Sequence, residues 1–121
     1  LSPVVLEGTA DFLTYPCAAA DVVKVIYIPS NFVIQAMTAE CVTTNTGTAS
    51  AFIVGDSTAT NTYMTTAISM ITQDAAVTQC TNAFSNGGKL YTSPSFISIV
   101  PTIAVTDGSA KVRVLGVKLG P

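Results

Sequence analysis

The chain contains no histidine and no tryptophan, and only 10% of its 121 residues are charged. Without histidine there is no ordinary general base and no Ser-His-Asp or Cys-His arrangement. The commonest transition-metal ligand is missing too. Charged residues make up about 25% of a usual globular sequence, so this surface must be built largely from neutral side chains. Five basic against seven acidic residues give a net charge of −2 with no basic tract, which argues against a nucleic-acid partner. No apolar run approaches the ~18 residues of a membrane-spanning helix, because Lys24, Pro29 and Pro101 interrupt the best candidates. The opening residues 1–7 have no basic segment and too short an apolar stretch for a signal peptide. The expectation is a soluble protein with no membrane partner.

Cysteine is sparse as well. Cys17, Cys41 and Cys80 form an odd set without a close pair, so no Cys-x-x-Cys metal or redox site exists. Zinc would need all three plus a carboxylate from scattered positions. Gly87-Gly88-Lys89 lacks the first glycine and the Ser or Thr of a phosphate loop, with Ala83 and Leu90 in those places. The carboxylates Glu7, Asp11, Asp21, Glu40, Asp56, Asp74 and Asp107 have no spacing that forces two together. Asp56 and Asp107 sit beside glycines and read as turn residues; calcium at Asp56-Ser57-Thr58 would lack the several acids of a known loop. Glu40 lies mid-strand and reads as an outward position. No enzymatic activity, metal or cofactor is expected.

What the chain does have is β-branched residues: 14 Val, 9 Ile and 18 Thr against only 6 Leu. Such side chains suit a pleated sheet and disfavour helix. Val22 to Ile28 reads as a strand ended by Pro29-Ser30-Asn31. Phe32 to Thr43 reads as a longer one whose apolar residues switch parity after Ala36, which suggests a bulge or partial cover on both faces. Asn45-Thr46-Gly47 is expected to close a hairpin into Ala49 to Val54, ending at Gly55-Asp56-Ser57. Residues 60–72 mix a helical period with five Thr, and a helical turn followed by a short strand is expected. Asn82 to Gly88 reads as a loop. Ile97, Ile99, Ile103 and Val105 alternate on one face, with Pro101 at an edge or bulge, and Asp107-Gly108 reads as a hairpin turn. The last strand places Val112 and Val114 on one face, then shifts parity to Val117 and Leu119, so Leu115-Gly116 reads as a bulge.

Seven or eight strands joined by short turns predict an all-β, single-domain antiparallel β-sandwich, jelly-roll-like. Residues 1–21 read as a short strand and extended N-terminal arm, and 22–121 as the sandwich. The arm carries Val4, Val5, Leu6, Phe12, Leu13 and Tyr15 among the breakers Pro3, Gly8 and Pro16, which makes these six the candidate partner contacts. Their alternatives are the chain's own sandwich, a second subunit, or a partner's surface. An open sandwich with few charges leaves its edges unprotected, so a symmetric homo-oligomer, dimer or trimer, is expected.

The order of Val25-Ile26-Tyr27-Ile28-Pro29-Ser30, Phe52-Ile53-Val54-Gly55-Asp56-Ser57, Tyr63-Met64, Gly88-Lys89-Leu90-Tyr91 and Asp107-Gly108-Ser109 before Lys111 to Val117 resembles the β-sandwich head decoration (cement) proteins of tailed bacteriophages. The resemblance covers residues 22–119 and departs most over 60–86. It implies a structural virion protein on the outer capsid surface, bound to the major capsid protein and cementing neighbouring capsomers. Composition alone fits two other roles: a tail or fibre-tip protein, and a secreted adhesive or carbohydrate-binding module.

The cysteine pattern gives a direct test. Labelling under denaturing, non-reducing conditions should find three free thiols; a count of one would mean that two cysteines are bonded.

Overall fold

The computed structural model describes residues 2–46, 50–64, 67–71, 78–79 and 88–120. Among the described residues, nine strands are arranged in two antiparallel sheets and no helix occurs. They are β1 (Pro3–Asp11), β2 (Val23–Ile28), β3 (Phe32–Thr43), β4 (Ala51–Asp56), β5 (Ile68–Ser69), β6 (Thr78–Gln79), β7 (Lys89–Tyr91), β8 (Ser95–Pro101) and β9 (Ser109–Lys118). One sheet runs β1-β9-β3, with both β6 and β7 on the far side of β3; the other runs β2-β8-β4-β5.

The pairings have a simple logic. β1 pairs with β9, β2 with β8, β3 with β7, and β4 with β5, as in one long hairpin folded at its middle. Rolling that hairpin up adds the β3–β9 and β4–β8 pairs. This is the jelly roll, and the sandwich expectation holds. Between the sheets Ile28, Ile34, Phe52, Val54, Ile97, Ile99, Val112 and Val114 are fully buried. Removing each such side chain from water is worth roughly 1.5–3 kcal/mol. Cys17 and Cys41 are free thiols; Cys80 lies outside the described residues.

Several expectations need correction. Neither expected hairpin is one, because β3 and β4 lie in opposite sheets, as do β8 and β9. Both sides of β3 and β8 are already taken, so the chain must cross to the other layer. Gly108 does supply a left-handed turn, with φ of +87°, and a Cβ there would lie 2.8 Å from the Thr43 carbonyl oxygen. Gly47 lies outside the described residues, as do residues 82–87 of the expected loop and Thr65, Thr66 and Thr72 of the 60–72 segment. In that segment the described residues form a turn over 60–63 and the short β5, without the expected helical turn. The Tyr63 N–H donates to the Val54 carbonyl, which ties the turn to β4.

Ile97 and Ile99 do face the core, but β8 stops at Pro101, leaving Ile103 exposed; Val105 is buried where it bridges Cys17. The expected bulge at Leu115-Gly116 is absent: the β1–β9 register runs unbroken from Pro3↔Val117 to Asp11↔Ser109. Register shifts lie on the partner strand instead, between Ile34 and Ala36 and between Cys41 and Thr43, so the parity of β3 switches before Ala36 and not after it. Gly116 has a different purpose, since a Cβ there would lie 2.2 Å from Cε1 of the buried Phe32. At the N-terminus the strand is nine residues long and belongs to a sheet, and Phe12 continues into the core.

Gly116→Ala should lower stability by roughly 1–3 kcal/mol, the usual cost of overpacking. The measurement is the denaturant midpoint, and an unchanged midpoint would show that the Phe32 ring yields freely.

Candidate interaction surface

One end of the sandwich is made by the loops 12–22, 44–46 and 102–108. They are cross-linked by backbone and aspartate hydrogen bonds. The Phe12 N–H donates to the Gly108 carbonyl at 2.9 Å, and Cys17 and Val105 exchange two bonds of 2.9 Å. Asp11 accepts from the Leu13 N–H at 3.1 Å and from the Thr14 hydroxyl at 2.8 Å, an Asp-turn that fixes the chain as it leaves β1. Asp107 accepts from the Thr46 hydroxyl at 2.6 Å and its N–H at 3.0 Å, while the Asn45 amide donates to the Asp107 carbonyl. The Thr14 hydroxyl first, and its N–H next, hold the Asp11 carboxyl below the ordinary range. The Thr46 hydroxyl and N–H do the same for Asp107.

On this plate Phe12 points inward, at 1% exposure, while Leu13 and Tyr15 stand out at 72% and 73%. The turn over residues 12–14, closed by the Tyr15 N–H donating to the Asp11 carbonyl at 3.0 Å, separates them. Of the six candidate contacts, Phe12 is thus core, and Leu6 is partly buried against it. Val4 lies at the sheet edge, 38% exposed, and Val5 points outward from the sheet at 64%. The structure therefore turns Phe12 and Leu6 toward the core and divides the exposed four between two places, Leu13 and Tyr15 at the loop end and Val4 and Val5 on the sheet.

The second place is the outer face of the β1-β9-β3-β7 sheet. Residue partners across the strands give the rows Pro3–Val117–Val33–Leu90 and Val5–Leu115–Ala36. Leu90 is 51% and Leu115 39% exposed. Further along the same face come Glu7–Arg113–Thr38 and Thr9–Lys111–Glu40. The Arg113 guanidinium bridges both acids, donating from Nε to Glu7 at 2.6 Å and from Nη1 to Glu40 at 3.0 Å. Sequence reasoning missed Leu90 and Leu115 as surface residues. Outward parity within each strand marked them, but only the pairing brings them beside Val5.

Reactive chemistry is scarce. Among the described residues no group of three metal-ligating side chains is present. Among the described residues Asp56 is the one buried carboxylate, and its oxygens are taken: it accepts from the Tyr91 hydroxyl at 2.6 Å, the Thr62 hydroxyl at 2.7 Å and the Thr58 N–H at 2.9 Å. The Tyr63 and Tyr91 hydroxyls are also hydrogen-bonded to each other. The cluster ties the loop after β4 to β7 and leaves no free base. On the other sheet an open groove of about 460 Å³ runs along Lys24, Tyr27, Pro94 and Phe96, with the Lys24 ammonium 4.6 Å from the centre of the Phe96 ring.

No protein-family model matches the chain, and no curated protein matches it by sequence. Two solved structures contain chains of similar fold. One is the acidic stable capsid structure of Helicobacter pylori bacteriophage KHP30, with TM-score 0.66 and 16% identity over 94% of this chain and 86% of that one. The other is the capsid of Ralstonia phage GP4, with TM-score 0.70 and 14% identity over 99% of this chain and 86% of that one. At these identities the likeness is one of fold.

The buried cluster sets the pH response. Burial pushes the Asp56 carboxyl up, but bonds from Tyr91, Thr62, Thr58 and Ala59 outweigh it, so its pKa falls below the ordinary value. Its stabilisation is present above about pH 4 and is lost as pH falls through the depressed folded value. Burial and the bond to Asp56 push the Tyr91 hydroxyl far up, so its contribution is present below about pH 10 and is lost above that. With no histidine, the denaturant midpoint should be flat from about pH 5 to 8 and fall on both sides. Tyr91→Phe should cost about 1–3 kcal/mol, the loss of one donor to a buried carboxylate. A steep change in midpoint near pH 6.5 would contradict this account.

Proposed function

We propose that this chain is a structural protein of a phage virion that binds the outer surface of the capsid and cements neighbouring capsomers, with the major capsid protein as its partner. The observation that carries the reading is the match of nearly the whole jelly roll to chains in two phage capsid structures. Two features of the chain support it. A charge-poor exterior can be covered by a partner with little desolvation of ions. The cross-linked loop end presents Leu13 and Tyr15 on a backbone already fixed by hydrogen bonds, so little ordering entropy is lost on contact. The role is non-enzymatic, and Leu13 and Tyr15 are the residues assigned to the capsid contact.

The groove beside Tyr27 supports a second reading, a carbohydrate-binding module, because an exposed tyrosine can stack on a sugar ring. The Lys24 ammonium already lies against the Phe96 ring, which leaves Tyr27 as the open aromatic surface. Binding of the isolated protein to a glycan array would favour that module.

The capsid reading is tested on particles. A mass-spectrometric inventory should find the chain at hundreds of copies per particle; a few copies would indicate a tail position. Leu13→Ser with Tyr15→Ser should leave thermal unfolding unchanged and reduce occupancy of undecorated heads at least tenfold. Each lost apolar contact is worth roughly 1.5–3 kcal/mol, and about 1.4 kcal/mol is tenfold in affinity. Full occupancy by the double variant would remove the loop end from the contact.

A further inference from the structure

The apolar half of the outer β1-β9-β3-β7 face has no covering layer among the described residues. Val5, Leu90 and Leu115 are exposed on it, and Val33, Ala36 and Val117 are half-buried beside them. Sheet faces of this kind normally pack on another layer, at about 10 Å. What the layer must look like can be read from the charged rows of the same face. They hold two acids, Glu7 and Glu40, and two bases, Lys111 and Arg113, so the face is neutral and alternating in sign. A partner of strong single charge gains nothing from it. A surface with the same alternation does.

A second copy supplies that surface. Consider a two-fold axis parallel to the strands, midway between β3 and β9. Each β9 residue then faces the β3 residue that is its neighbour within the sheet, on the second copy. Val117 meets Val33 of the second copy and Leu115 meets its Ala36, a large side chain on a small one. Lys111 meets Glu40 of the second copy, and the symmetry repeats every contact in reverse. At the flanks Pro3 faces Leu90 of the second copy. With strands about 4.8 Å apart rising about 3.4 Å per residue, eight-residue lengths of β1, β9 and β3 with the three-residue β7 cover ~440 Å² per copy. The total of ~900 Å² lies at the small end of protein interfaces, the size of a weak, concentration-dependent dimer.

We propose that the outer face of the β1-β9-β3-β7 sheet is a two-fold homodimer interface whose occupant is a second copy of this chain. The inference concerns the free protein and does not depend on the capsid reading.

Sedimentation equilibrium of the full chain at micromolar concentration should give twice the 12.4 kDa monomer mass. Leu115→Asp should give a folded monomer, with folding checked by denaturant titration. The decisive arm uses Lys111→Glu and Glu40→Lys as separate proteins. Each alone sets like charges opposite each other twice and should weaken the dimer at least tenfold. Mixed together they should form a heterodimer, since every facing pair becomes Glu against Lys. This pair also keeps the inference testable if Leu115→Asp fails to fold. A monomeric parent chain, a dimer indifferent to Leu115→Asp, or variants that do not rescue each other would each overturn it. So would a monomer whose Leu115→Asp variant loses binding to heads, because the face would then belong to the capsid protein.

Discussion

Strand β9 is hydrogen-bonded along nearly its whole length on both sides, to β1 and to β3, and the rest of the sandwich depends on that double pairing. Its inward side chains Ala110, Val112 and Val114 are fully buried in the core, and its outward ones carry both halves of the exposed face. The strand belongs to the last part of the chain and its β1 partner to the first. The sheet therefore closes only when residues over a hundred positions apart have met, as Glu7 and Arg113 do. Such non-local pairing is slow to form, because loop-closure entropy is lost before contacts compensate for it. Gly116 is the point where this strand and Phe32 come closest, and any side chain there would push the two apart.

From that frame follow two surfaces of different kind. The loop end owes its shape to aspartates that bond to nearby Thr hydroxyls and backbone N–H groups, so its apolar residues project from fixed positions. The outer sheet face owes its shape to strand register, which lines up Val5, Leu115 and Ala36 from three separate strands. The two proposals fit together geometrically. A two-fold axis parallel to the strands leaves the loop ends of both copies pointing the same way. A dimer would then offer Leu13 and Tyr15 twice to one partner surface, and two linked contacts hold far more tightly than one.

Much of the strand content was legible from residue types. The limits of β3 were read as they occur, and those of β2 within one residue, because Pro29-Ser30-Asn31 is a strong stop between β-branched runs. The shared faces of Ile97 with Ile99 and of Val112 with Val114 followed from alternation, and the change of parity in β3 signalled an irregularity there, though one placed after Ala36 rather than before it. The turns at Asn45-Thr46 and Asp107-Gly108 misled, for one reason. Turn chemistry specifies local φ and ψ, and the same turn can return a strand beside itself or lead it across to the facing sheet. The candidate contacts divided for a similar reason: nothing local distinguishes Phe12 from Leu13, but only one of them lies over the space between the layers.

The sequence by itself determined a β-rich chain with a neutral exterior, without histidine chemistry, and with most of its inward residues marked by period two. These are local properties, decided by side-chain shape, charge and the pleat of an extended backbone. Tertiary structure alone decided which strands are neighbours, and so which exposed residues share a surface. Val5, Leu90 and Leu115 are far apart in the chain and become one patch only through β9 and β3, because pairing depends on how the entire set of strands can share one core.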